Sequence, residues 1–157
     1  MEDSAIKIDY IRTGIHAGNK NSFLHQLAEQ SVANGIADDV EKTYEGFLER
    51  EQECSTGFTD GFAIPHTRCG SVKKTAVLIN RLDQGIDWPS MDGQPTDFVI
   101  ALMVPGGDRG ADEHMRLLSH FSRLLVNADF RKSLRQAESS EEIYRIFKVQ
   151  SQNVCIE

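Results

Sequence analysis

A layered α/β domain, with one β-sheet and helices on both of its faces, is the fold class the sequence predicts. Three observations point there. The runs TAVLINRL (75–82) and DFVIALMV (97–104) are nearly continuous apolar stretches of strand length, bounded by Gly, Pro and Asp clusters, as strands covered on both faces are. Amphipathic helical patterns stand both before and after them. No repeat or linker divides the 157 residues, a length that supports one good core and one domain.

The elements follow in order. IKIDYI alternates Ile6, Ile8 and Tyr10 with polar residues and predicts a half-buried strand. NKNSFLHQLAEQSVANG places Leu24, Leu27, Ala28 and Ser31 on one helical stripe and stops at Asn34-Gly35. ADDVEKTYEGFLERE pairs Asp38 with Glu41 as an acidic capping box and sets Val40, Tyr44, Phe47 and Leu48 at i, i+4, i+7 and i+8. Turn-rich STGFTDG and TRCGSVKK bracket the stretch GFAIPHTR, and DQGIDWPSMDGQP reads as a loop between the two apolar strands. The loop PGGDRGAD leads into a helix over EHMRLLSHFSRLLVN, followed by DFRKSLRQA and by EEIYRIFKV, which a Ser139–Glu142 box opens. Residues 1–150 are read as the domain and 151–157 as a free C-terminal tail.

Composition narrows the function classes. The chain is 39% hydrophobic and 26% charged, with a formal net charge of −7, so its long-range field repels nucleic acid and anionic membrane. No apolar run reaches the roughly 20 residues a membrane helix needs, and MEDSAIKIDY lacks a signal peptide's basic start and apolar core, which points to the cytosol. Three cysteines at irregular spacing, Cys54, Cys69 and Cys155, fit reduced thiols.

Five histidines are then separable by position. At about 100° per residue His114 falls within the stripe of Leu117, Leu118, Phe121, Leu124 and Leu125, and with Asp112 as N-cap it stands in a first helical turn, where N–H groups favour an anion. His120 is placed on the polar face with Arg116 and Arg123, and His16 and His25 are read as structural or solvent-facing. Pro65 has no N–H and restricts Ile64 to extended backbone, so a strand is expected to finish there and deliver His66 at its end. Ligand crevices of open α/β sheets form at such strand ends.

Two inward histidines from separated segments suit an anion pocket. A zinc site is a weak reading, because only Cys69 offers a third ligand. There is no G-x-S-x-G nucleophile elbow, and PGGDRGADEH lacks the lysine of a phosphate-binding G-x-x-x-x-G-K loop. Covalent catalysis by a neutral imidazole, one ring nitrogen taking up a phosphoryl group, is what remains.

EREQECSTGFTDGFAIPHTR, IDWPSMDGQPTDFVIALMVP and EHMRLLSHFSRLL resemble, in order and spacing, the enzyme IIA domain of the fructose/mannitol family of the bacterial phosphoenolpyruvate-dependent sugar phosphotransferase system. The resemblance spans nearly the whole chain and implies a mixed sheet with helices on both faces. It implies that His66 accepts a phosphoryl group from the phosphocarrier HPr and passes it to a cysteine of a IIB component, which works with a membrane IIC component on a fructose-like sugar. His114 and Arg50 match the residues that stabilise the phosphate; neither metal nor other cofactor is implied. Thr67 and Arg68 stand where the family often has Gly or Ala followed by a small or basic residue; Thr67 is taken as a further phosphate contact through its hydroxyl or N–H, and Arg68 as a second cation. The resemblance also admits a regulatory, nitrogen-type IIA that signals through phosphorylation-dependent protein binding. No IIB or IIC segment is attached, so a freestanding IIA is expected. Phe58, Phe62 and Ile64 are the expected apolar docking surface around His66.

Overall fold

The computed structural model describes residues 5–155, with the side chains of residues 109 and 151–155 set aside. Among the described residues five strands form one sheet: β1 (Ile11–Ile15), β2 (Phe62–Ala63), β3 (His66–Cys69), β4 (Ala76–Ile86) and β5 (Thr96–Pro105). The order is β1-β4-β5-β2, with β3 continuing the β2 edge along β5. β1 runs parallel to β4, β4 antiparallel to β5, and both β2 and β3 parallel to β5. The sheet is therefore mixed.

Among the described residues five α-helices cover it: α1 (Lys20–Ala33), α2 (Val40–Glu53), α3 (Asp108–Val126), α4 (Ala128–Gln136) and α5 (Ser140–Cys155). Strand alternation sorts the core into two layers. Val77, Ile79, Phe98, Ile100 and Leu102 face one way, onto Leu117, Phe121, Leu134 and Phe147 of α3–α5. Leu78, Val99, Ala101 and Met103 face the other, with Phe23, Leu27 and Phe47 of α1 and α2. Both apolar strands are buried on both faces, as their continuous hydrophobicity requires.

Several boundaries differ from expectation. The first strand starts only at Ile11, because Ile8–Tyr10 closes a 3-10 turn with Tyr10 N–H on the Lys7 carbonyl. Asp39, not Asp38, caps α2 by accepting from Lys42 N at 3.0 Å, while Asp38 pairs with Lys73 at 2.9 Å. β4 extends through Ile86, into the expected loop. α3 begins at Asp108, after Gly107 at φ 94°, so His114 lies in its second turn and not its first. α5 runs to Cys155, so the tail expected from residue 151 is helical that far. Half of the Ser139–Glu142 box forms: Glu142 N–H donates to Ser139 Oγ at 3.2 Å, while the Glu142 carboxylate accepts from Glu138 N–H at 3.2 Å.

Candidate functional site

Pro65 interrupts a strand rather than ending it. Phe62–Ala63 pairs with β5, the ladder breaks at Ile64-Pro65, and pairing resumes at His66, the first residue of β3. An edge strand tolerates this, since a proline's missing N–H costs nothing on the open side. The Pro65 carbonyl still accepts from Leu102 N at 2.9 Å, and Ile64 N–H turns instead to the Thr56 carbonyl at 3.0 Å.

His66 sits where three elements meet. Its Nδ1 lies 2.8 Å from the Ile64 carbonyl oxygen, which has no proton to give, so Nδ1–H is the donor. Nε2 accepts from Arg50 Nε at 2.8 Å. The neutral tautomer protonated on Nδ1 satisfies both bonds. His114, from α3, stands edge-on to the ring, with centroids 4.7 Å apart and planes at 79°. Arg50, in the last turn of α2, is braced by a bond from Nη1 to the Cys54 carbonyl at 2.7 Å.

Electrostatics favours the uncharged ring. Burial first, then the positive charge of Arg50 and the neighbouring His114, hold His66 down at about 4, against the opposing pull of the Ile64 bond and Glu51. His114 is lowered too, by burial and then by Arg68 and Arg50. Two neutral imidazoles beside two guanidinium groups make a pocket suited to a dianion.

The structure brings together His66 and His114, as their positions in the sequence suggested, and Arg50, as the resemblance implied. It separates Thr67 from them: alternation along β3 turns its hydroxyl to the other face, against Gly46 of α2, where an added Cβ would stand 2.3 Å from Oγ1. The hydroxyl is thus not a group of the His66 pocket. Cys69 shares that other face, 3.1 Å from Ser71 Oγ, and cannot complete a ligand set with His66. Arg68 is exposed on the His66 side, its Cδ against Gly110 of α3.

Three further expectations need correction. The His66 ring was expected to be open to partners, yet the residue is only 4% exposed, lying beneath the half-buried Arg50 and His114. Phe62, in β2, and Ile64, just after it, are core residues packed with the α3–α5 layer; Phe58 is partly covered, and the exposed large apolar residues include Met91 and Met115. His120 is half-buried, edge-on to Phe121 at 4.9 Å, and not fully solvated.

Sequence reasoning missed Glu51 and Thr56, which hold the loop beneath Ile64. The signal was present in the quoted ERE and STG, whose chemistry went unread. Among the described residues no three His, Cys, Asp or Glu side chains converge as metal ligands, and no helix is long and apolar enough to cross a membrane.

Residues 4–150 match the family model described as phosphoenolpyruvate-dependent sugar phosphotransferase system, EIIA 2. A nitrogen regulatory protein of Pseudomonas aeruginosa is 33% identical over 132 residues, 84% of each chain. A PTS system fructose-specific EIIA component of Haloferax volcanii is 34% identical over 124 residues, 79% of each. Among solved structures, the nitrogen regulatory protein IIA-Ntr of Neisseria meningitidis superimposes with a TM-score of 0.83 at 25% identity, covering 92% of this chain and 97% of that one. A family-model match over residues 4–150, nearly the full length, places this chain in the EIIA 2 family of the phosphoenolpyruvate-dependent sugar phosphotransferase system.

Proposed function

We propose that the protein is a phosphocarrier: His66 takes a phosphoryl group from the phosphohistidine of HPr and gives it to a cysteine of a IIB component serving a fructose-like sugar. The observation that carries this reading is the state of one ring, with Nδ1–H bound to the Ile64 carbonyl and Nε2 holding an unshared pair under Arg50. That pair attacks phosphorus as the donor's N–P bond breaks; the Nε2–P bond forms, and the Nδ1 proton stays in place. Arg50 must pivot off Nε2 as the phosphoryl group arrives, exchanging one acceptor for phosphate oxygens. His114 supplies a ring N–H; the backbone N–H of Thr67 belongs to the ladder between β3 and β5, which leaves that residue no phosphate contact. Arg50 and Arg68 offset the developing charge, so neither metal nor nucleotide is required. The chain works in the cytoplasm, and its net charge of −7 suits a basic donor.

The nitrogen regulatory relatives favour a second reading, in which the same phosphohistidine controls binding to other proteins. Incubation with phosphoenolpyruvate, enzyme I and HPr should add one phosphoryl mass to the wild type, acid-labile, and none to His66→Ala. Labelling of the variant would remove His66 from the role. Discharge of the labelled protein by a IIB component supports transport; refusal of every IIB component tested supports the regulatory reading.

A further inference from the structure

We infer that Glu51 is a positioning residue that sets the tautomer of His66, acting through Thr56 and Ile64. The effect on phosphoryl transfer rests on the phosphocarrier reading; the effect on the ring does not.

The Glu51 side chain is 6% exposed, a costly place for a carboxylate unless its oxygens are used. They are. Oε1 lies 2.7 Å from Lys20 Nζ and accepts from Thr56 N at 3.1 Å, and Oε2 accepts from the Thr56 hydroxyl. Lys20 opens α1 and lies over the Trp88 ring at 5.2 Å, so the carboxylate ties the start of α1, the end of α2 and the loop after it into one joint.

From that joint the geometry runs on to the imidazole. The Thr56 carbonyl takes the Ile64 N–H at 3.0 Å. Pro65 restricts Ile64 to extended backbone, so fixing its N–H also fixes the direction of its carbonyl. That carbonyl holds His66 Nδ1–H at 2.8 Å. Glu51 is also the chain neighbour of Arg50, whose Nε meets Nε2, so the carboxylate anchors the partners of both ring nitrogens. Only an acceptor fits, because three donors converge on it; a glutamine would set an NH2 against Lys20 or Thr56.

The test uses the full chain with 15N-labelled histidine, beside the rate of phosphorylation by HPr. Wild type should show the Nδ1–H tautomer. Glu51→Gln and Thr56→Val should each give a mixture of tautomers, while their amide spectra away from the site stay native, and should slow phosphorylation by between about 10-fold and about 100-fold. Thr56→Val leaves the Lys20–Glu51 pair intact and decides the matter alone if Glu51→Gln does not fold. An unchanged tautomer and rate in the folded variants would overturn the assignment. A tautomer shift in a protein whose wild type accepts no phosphoryl group supports the positioning role while removing the phosphocarrier reading.

Discussion

The guanidinium of Arg50 donates from Nε to Nε2 of His66 at 2.8 Å, and so covers the nitrogen whose lone pair faces away from the strand. In one state Arg50 shields the nucleophile; after transfer the same charge faces the phosphate. Arg50→Ala should slow phosphorylation about 100-fold, the cost typical of removing one preorganised donor to developing charge. Arg50→Lys, which keeps the charge without the planar fork, should fall between the two. Timed phosphoprotein assays check both, and an alanine variant as fast as wild type would show that the guanidinium is only a structural brace on Cys54.

Acid should leave acceptance of phosphate intact further than an ordinary histidine allows. His66 is held at about 4 where the unfolded chain titrates near 6.5, so it stays neutral and nucleophilic to about pH 5. The folded-state value is the lower one, hence the unfolded chain binds more protons between these limits. The stability this group contributes is full above about 6.5 and is lost as pH falls toward about 4. Histidine-resolved NMR titration reads the value directly; a midpoint near 6.5 would contradict the buried, uncharged ring.

Gly46 sets the distance between α2 and β3, and thereby the reach of Arg50 one turn later. Alanine in a helix interior gains about 0.5–1 kcal/mol over glycine. At this site its Cβ would stand 2.3 Å from Thr67 Oγ1 and 3.4 Å from Cys69 Sγ, and overpacking of this kind costs about 1–3 kcal/mol. Gly46→Ala should therefore lower the denaturation midpoint and slow phosphorylation. Adding Thr67→Ala should restore both; failure of the double variant to recover would place the contact elsewhere.

Much of the fold was legible because its signals are short-range. Continuous apolarity marked β4 and β5 as doubly covered, and period 3.6 marked α1, α2 and α3. Boundaries were less legible: Asp38 and Asp39 are equally good caps on paper, and only the Lys73 ion pair decides between them. The strand break at Pro65 was read as a strand end, since nothing local says that β5 would go on pairing beyond it.

Within the site, Ile64, Pro65 and His66, with an inward His114 downstream, were visible in the chain itself, because residue type, helical period and the proline's fixed backbone are local properties; Arg50 entered only through the family resemblance. The face on which each neighbour stands was not visible there. Thr67 turned away and Glu51 came in because β3 lies on the sheet edge beside α2, an arrangement decided by the pairing of strands far apart in sequence. Burial of the imidazole, and with it the loss of its charge, follows from that long-range packing alone.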